Sequence, residues 1–95
     1  MDRKVHLISY NVRDGQRLQK VAKVLEGYGD RIQYSVFRCR LTDRSRSRLL
    51  WELAKLMKPE DALLVIPLCG HCAQGTIQRG APLNWPKDDP EFTIL

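Results

Sequence analysis

The chain has 95 residues, of which 43% are hydrophobic and 28% are charged. This length predicts one small domain, and no apolar run approaches the roughly 20 residues that a membrane-spanning helix needs. The net charge of +5 is uneven: residues 1–58 carry 14 of the 16 lysines and arginines, whereas residues 59–95 carry 2 against 5 acidic residues. A basic body favours a polyanionic partner such as nucleic acid over a merely solvated surface.

The first predicted element is a strand over residues 4–12, in which both alternating faces are largely apolar, as in the centre of a sheet. A polar turn follows, and Asp14 within it can cap a helix. Apolar residues recur at helical spacing over residues 16–28 and predict that helix, with one buried stripe. The stripe consists of Leu18, Val21, Ala22, Leu25 and Tyr28.

Residues 25–42 begin as the end of that helix and continue as a run rich in β-branched and aromatic residues. Along this run, the apolar side chains change from one alternating set to the other near residues 35–37. Because successive side chains of a strand point to opposite faces, either two short strands meet there or one strand carries a bulge.

The second half of the domain repeats the order of helix and strand. Thr42 and Asp43 predict the cap of a helix over residues 43–57. The apolar run at residues 62–68 predicts another buried strand. Residues 69–74 predict a loop, and residues 76–79 predict a short strand.

The C-terminal segment differs from the rest in composition. Residues 80–90 contain three prolines and predict an extended connector. Residues 91–95 predict a strand with no partner nearby in sequence, which has to pair with an open sheet edge or fray. Strand exchange within a dimer is a simple solution, and its candidate contacts are Phe92, Ile94 and Leu95. We therefore divide the chain into a domain at 1–79 and a connector with a dimer strand at 80–95.

This order of elements predicts an α+β fold of the ferredoxin-like type, βαββαβ with an additional C-terminal strand. Two helices then cover one face of an antiparallel sheet. The opposite face stays apolar and uncovered in a monomer, which favours a homodimer formed by sheet packing and strand exchange.

Cys69 and Cys72 form a C-x-x-C pair with His71 between them. We expect a structural role first, half of a zinc site second and redox chemistry last, because a redox pair normally opens a helix.

The odd number of three cysteines and the absence of an apolar leader predict a cytoplasmic protein. No Gly-rich phosphate loop or HExxH motif is present, so we expect no organic cofactor.

Basic side chains are the main candidates for binding nucleic acid through its phosphates. Nothing in the sequence reads base edges, so shape or backbone recognition is expected. The acidic residues are few for metal-dependent cleavage: Asp14 is the only carboxylate near the end of the first strand, and a helix cap is its expected role. The candidate phosphate contacts are Arg13, Arg17, Lys20, Lys23, Arg31, Arg38, Arg40, Arg44 and Arg48.

The stretch from Tyr28 to Phe37 resembles the CRISPR-associated protein two family, which carries the pattern Tyr-Gly-x-Arg-(Val/Ile)-Gln-x-Ser-Val-Phe. The preceding strand end and helix also resemble this family, and so does the run Pro-Leu-Cys-x-x-Cys that ends at Cys72. The matching residues of the stretch are Tyr28, Gly29, Arg31, Ile32, Gln33, Ser35, Val36 and Phe37.

This resemblance implies a ferredoxin-like homodimer whose C-terminal strand packs against the partner protomer. It also implies a central dimer that bridges two dimers of the partner integrase, which is protein one of the same system. That dimer holds duplex DNA before insertion into the repeat array. For many members the family further implies a metal-dependent nuclease acting on RNA or DNA, in which an aspartate closing the first strand of each protomer binds Mg²⁺.

In this sequence the position of that aspartate is Asn11. An amide can donate an oxygen ligand, but it adds no negative charge to hold Mg²⁺ or to lower the pKa of its bound water. We therefore expect weak Mg²⁺ binding and weak or absent nuclease activity, with the role in integration retained. Asp14, beyond the strand end, is the alternative metal ligand.

Overall fold

Four strands form one antiparallel sheet in the order β2-β3-β1-β4, as the ferredoxin-like prediction requires. The structure, a computed structural model, describes residues 3–79 and 93–94. Its strands are β1 (Lys4–Asn11), β2 (Gly29–Gln33), β3 (Val36–Leu41), β4 (Ala62–Leu68), β5 (Ile77–Gln78) and β6 (Thr93–Ile94). Its helices are α1 (Gly15–Glu26), α2 (Asp43–Leu56) and α3 (Gly70–Gln74).

The core lies between the sheet and helices α1 and α2. Ile8 of β1 stands opposite Phe37 of β3, and both are fully buried. The helices contribute Leu25 from α1 and Leu49 and Leu53 from α2 to the same cluster. Full burial of a side chain of this size stabilises the fold by about 1.5–3 kcal/mol. The stripe predicted for α1 from periodicity is therefore the face that packs on the sheet.

Both long helices begin at caps that the sequence predicts. The Asp14 carboxylate accepts a hydrogen bond of 2.9 Å from the Arg17 backbone N–H at the start of α1. At the start of α2, Thr42 and Ser45 form a reciprocal capping box, in which each side chain accepts from the other's backbone N–H. Each such cap satisfies N–H groups that have no partner inside the helix, and is worth about 1 kcal/mol.

Residues 25–42 contain two strands, which is one of the two predicted alternatives. The strands β2 and β3 are joined by a tight turn at Tyr34 and Ser35, and Tyr34 adopts a positive φ of 39°. The ladder between them also shifts register between Arg31 and Gln33. The switch of the apolar side chains from one alternating set to the other thus marks the turn of a hairpin. The register shift is a separate irregularity within β2.

The prediction that residues 62–68 form a buried strand is wrong in one respect. β4 pairs with β1 and lies at the edge of the four-stranded sheet, and Leu64 and Ile66 are exposed. Pro67, which has no backbone N–H to donate, is compatible with an edge strand and would weaken a central one. A continuous apolar run arises here because one face packs on the core and the other belongs to the uncovered side of the sheet.

The predicted loop at residues 69–74 is also wrong, because Gly70–Gln74 forms the short helix α3. The short strand predicted at residues 76–79 is present as β5. β5 pairs in parallel with β6 of the same chain, so the described part of the predicted C-terminal strand finds a partner within its own chain. Phe92, Leu95 and the predicted connector lie outside the described residues. No helix in the described part of the chain is long and apolar enough to span a membrane.

Candidate nucleic-acid interface and the end of the first strand

Asn11 is the last residue of β1 and pairs with Ala62 of β4. By the alternation of the strand, it shares a face with Val5, Leu7 and Ser9, opposite the buried side chains of Ile8 and Tyr10. Asn11 itself is exposed. The predicted family position therefore lies at one end of the sheet face that the helices leave uncovered.

A buried carboxylate near this strand end belongs to Asp61, which precedes β4. The Arg17 guanidinium donates to both Asp61 oxygens, from Nε to Oδ2 at 2.9 Å and from Nη2 to Oδ1 at 3.0 Å. The backbone N–H groups of Lys58 and Arg13 donate to the same carboxylate at 2.9 and 3.3 Å. The Asp61 side chain has no solvent-accessible surface. This two-pronged ion pair ties α1 to the start of β4.

These hydrogen bonds hold the pKa of Asp61 well below its usual range, first through Arg17 and then through the Lys58 backbone N–H. The sequence alone does not indicate this role of Asp61, since its partner Arg17 lies 44 residues earlier in the chain. The predicted order of strands does indicate that the two regions are close, because antiparallel pairing of β1 and β4 brings the residue before β4 next to the residues that follow β1.

We expect Asp61→Asn to lower the melting temperature by several degrees at pH 7 and by a smaller but still measurable amount at pH 3. A carboxyl group whose pKa is depressed on folding adds stability above its unfolded pKa of about 3.9, and this contribution is lost as the pH falls through the folded value. Thermal unfolding of both proteins at the two pH values measures the difference. Glu60→Gln is the control, because Glu60 is half exposed and makes one contact with Arg17, so its effect should be small at both pH values. An equal loss at pH 3 and pH 7 would contradict this account.

The residues around Asn11 do not fit a Mg²⁺ site within one chain. Asp14 is engaged as the α1 cap, and Asp61 is engaged by Arg17 and two backbone N–H groups. Among the described residues, no group of three or more His, Cys, Asp or Glu side chains could hold a metal ion. Mg²⁺ prefers hard anionic oxygen ligands, and Asn11 supplies a neutral one.

The structure divides the candidate phosphate contacts by their surroundings. Arg17 is held by Asp61 and Glu60, at 2.9 and 3.1 Å. Arg38 is buried in the middle of β3, opposite Leu7 of β1 and Asp30 of β2. The other candidates are exposed: Arg13, Lys20, Lys23, Arg31, Arg40, Arg44 and Arg48.

Two of the exposed cations sit on α1 and two on the hairpin of β2 and β3. Lys20 and Lys23 are exposed one turn apart on α1, on the side away from buried Val21, Ala22 and Leu25. Arg31 lies 3.7 Å from the Glu26 carboxylate, and its guanidinium stands 5.2 Å from the centre of the Phe37 ring. These cations are accessible to a polyanion.

His6 is a core residue and not a catalytic one. It is buried, and its Nδ1 lies 2.9 Å from the Lys4 carbonyl oxygen while its Nε2 lies 3.4 Å from an Arg46 nitrogen. Both ring nitrogens are thus directed at groups of the fold.

A family model described as CRISPR associated protein Cas2 matches residues 4–76. The CRISPR-associated endoribonuclease Cas2 3 of Synechocystis sp. is 43% identical over 84 residues, which cover 86% of this chain and 91% of that protein. Cas2 of Streptococcus pyogenes, in a crystal structure at pH 6.5, has a TM-score of 0.66 at 28% identity over 75% of this chain and 92% of its own. A chain of a partial Cas6-RT-Cas1–Cas2 complex has a TM-score of 0.68 at 24% identity, over 77% and 87%, and supports the fold alone.

Proposed function

The chain belongs to the CRISPR-associated protein Cas2 family, and on that basis we propose that it is a cytoplasmic homodimeric scaffold. In this role it binds duplex DNA together with a Cas1 integrase during spacer acquisition. The observation that carries the proposal is the combination of an uncovered apolar sheet face with exposed cations around the remainder of the domain. The first feature suits a second copy of the chain, and the second suits a phosphate backbone.

The proposed dimer uses the sheet face that carries Leu7 of β1 and Leu64 and Ile66 of β4. Leu64 and Ile66 are two residues apart in β4, so they share one face, and they are 57% and 41% exposed. Contact with a second copy would bury this surface, and each Å² of buried apolar area would stabilise the dimer by about 25 cal/mol. We propose that the partner protomer also contacts the C-terminal strand, through Phe92, Ile94 and Leu95, while this strand stays paired with β5 of its own chain.

For the DNA contact we propose the exposed cations, namely Arg13, Lys20, Lys23, Arg31, Arg40, Arg44 and Arg48. We leave out Arg17, which is engaged by two carboxylates, and Arg38, which is buried. These side chains are arranged over several elements and not along one helix that could enter a groove. Recognition of duplex shape and phosphates is therefore the proposed mode, with structured RNA as a second ligand of the same charge.

The decisive test is co-purification with Cas1 of the same system, followed by integration of a labelled duplex into a repeat-containing plasmid. We expect a stable complex and integration that depends on both proteins. The matched control is a double variant, Leu64→Asp/Ile66→Asp, which places charge on the proposed dimer face; it should be monomeric and inactive. A well-folded native chain that neither dimerises nor binds Cas1 would refute the scaffold role.

We expect the double variant Lys20→Gln/Lys23→Gln to bind duplex DNA more weakly and with a smaller dependence on salt. Each lost phosphate contact reduces the slope of log K against log salt by about 0.9, so the slope should fall by roughly 1.8 in magnitude for each protomer. A titration in several salt concentrations measures this slope. Lys55→Gln/Lys58→Gln, which removes the same charge near the end of α2, is the control and should leave the slope nearly unchanged. Equal effects of the two double variants would point to a nonspecific charge effect.

A Mg²⁺-dependent endonuclease is the second candidate function. It is favoured by the names of the relatives, such as the endoribonuclease of Synechocystis sp.. Asn11 weighs against it, because the neutral amide stands where the family resemblance places a carboxylate. We therefore propose that cleavage by this chain is weak or absent and that Mg²⁺ binds weakly.

A further inference from the structure

Two cysteines lie within contact distance at the start of α3. Cys69 is the N-cap residue of this helix, and Cys72 follows in its first turn. Their sulfur atoms are 3.4 Å apart, and both residues are exposed. From the sequence, redox chemistry is the least expected role of this pair, because a loop and not a helix is predicted after Cys69. The helix is present, so the reason for that ranking no longer holds.

The two thiols are not equivalent. The Cys72 backbone N–H donates to Cys69 Sγ at 3.4 Å, and this bond, together with the Cys72 thiol, lowers the pKa of Cys69. The pKa of Cys72 is raised, mainly because its proton is held by the Cys69 sulfur. Cys69 is therefore the first to ionise, and the thiolate is the nucleophilic form of cysteine.

Cys69 also lines a cleft with a cationic wall. The cleft has a volume of about 560 Å³, and Arg3, Lys4 and Arg40 line it together with Leu68 and Cys69. The sheet explains this grouping, because Arg40 of β3 pairs with Val5 of β1, which in turn pairs with Leu68 of β4. Positive side chains that line a cleft raise the local concentration of anionic reactants.

The third cysteine provides an internal contrast. Cys39 of β3 is fully buried in the core, and burial raises its pKa to about 11. At neutral pH it is a protonated thiol that solvent cannot reach. The surroundings of the three cysteines therefore predict one reactive pair and one inert residue.

We propose that Cys69 and Cys72 form a redox-active dithiol, which exchanges with an anionic low-molecular-weight disulfide in this cleft. The Cys69 thiolate attacks one sulfur of the disulfide R–S–S–R, forming a mixed disulfide and releasing one R–S⁻. The Cys72 thiol then loses its proton and attacks Cys69 Sγ, which releases the second R–S⁻ and closes the Cys69–Cys72 disulfide. The two protein thiols are oxidised, and the small disulfide is reduced to two thiols.

The geometry allows the second step without unfolding. The separation of the two Cβ atoms is set by the backbone, and a disulfide needs it at roughly 3.5–4.5 Å, so closure combines rotation of both side chains with a small backbone adjustment at the exposed start of α3. The sulfur atoms have to move from 3.4 Å to a bond of about 2.05 Å. Arg40 of this cleft also belongs to the cations proposed for DNA contact, but the exchange is followed by free thiols and intact mass, so its failure is distinguishable from failure of the scaffold role.

The test is to incubate the reduced full-length protein with oxidised glutathione at pH 7 and to follow free thiols and intact mass. We expect the native chain to lose two hydrogen atoms and to retain one free thiol, Cys39. In Cys72→Ser the reaction should stop at one glutathione adduct on Cys69. In Cys69→Ser the remaining surface thiol should react at least about tenfold more slowly, because its partner no longer provides the nucleophile.

The cleft is tested separately with Arg40→Gln. This variant should react several-fold more slowly with oxidised glutathione, which is anionic, and at an unchanged rate with hydroxyethyl disulfide, which is neutral. Failure of the native chain to close an internal disulfide, or two stable glutathione adducts on one chain, would overturn the proposal. So would equal reaction rates of Cys69→Ser and Cys72→Ser. Binding of zinc by the reduced protein that blocks the reaction with oxidised glutathione would also overturn it, in favour of a structural metal role for the pair.

Discussion

Replacing Asn11 with aspartate is expected to raise Mg²⁺-dependent cleavage of nucleic acid at least roughly tenfold over the native chain. The substitution keeps the size of the side chain and changes a neutral oxygen donor into an anionic one at the end of β1. Asn11 is exposed and lies on the uncovered sheet face, so the new charge is not buried in the core. In the proposed homodimer, each protomer would contribute one carboxylate. The measurement is cleavage of labelled RNA and duplex DNA with and without Mg²⁺.

Asn11→Ala is the matched control for this experiment. It removes the amide without adding charge and should leave cleavage at the low level of the native chain. Chelation of Mg²⁺ should abolish the activity gained by Asn11→Asp, and the melting temperatures of the three proteins should agree closely. Robust Mg²⁺-dependent cleavage by the native chain that Asn11→Ala removes would contradict this interpretation. The amide would then be an adequate ligand, and the endonuclease would become the better description of the chain.

The elements that the sequence predicts well are those whose signals are local. The stripe of α1 and its Asp14 cap occur within one stretch, so periodicity and capping chemistry are enough to locate the helix. The same holds for α2 with its Thr42 cap. For residues 25–42 the sequence leaves two alternatives open, because the apolar side chains change from one alternating set to the other at a turn and at a bulge alike.

Features that depend on distant parts of the chain were not predictable in this way. The ion pair between Arg17 and Asp61 joins residues 44 positions apart, and neither residue alone indicates it. Whether β4 is central or at the edge depends on its place in the sheet order, which an apolar run does not specify. The helix α3 is only five residues long, which is too short to show helical periodicity. Its N-cap is Cys69, and cysteine is not one of the residue types that normally signal a helix start.

The candidate site shows the same division. The position of Asn11 at a strand end followed from the sequence, and the structure places it on the uncovered face. The number of available cations did not follow, since Arg17 and Arg38 become engaged or buried only when the sheet and helices assemble. The charge count of a sequence is therefore an upper limit on the cations available for phosphate contact.

We expect Gly29→Ala to lower the free energy of unfolding by about 1–3 kcal/mol, because the strand β2 has no room for a side chain at this point. A Cβ at Gly29 would overlap the Arg38 carbonyl oxygen and lie 2.7 Å from Cys39 Sγ and 2.8 Å from Cys39 Cα. Two of these three atoms belong to the backbone of β3, which is fixed in the middle of the sheet by its pairing with β1. The strand cannot yield without breaking the ladder that carries Phe37 into the core. Urea unfolding of both proteins measures the difference.

Gly15→Ala is the control, since a Cβ there meets nothing within 4 Å at the first residue of α1. Alanine is favoured over glycine in helices, so this variant should be neutral or more stable by up to about 1 kcal/mol. Equal effects of the two variants would show that the lack of space at Gly29 does not determine the stability of the fold. A selective loss at Gly29 would give the Tyr-Gly pair of the family pattern a physical basis. Tyr28 donates a 2.8 Å hydrogen bond to Glu52 of α2, and the next residue has to be small enough for β2 to lie against β3.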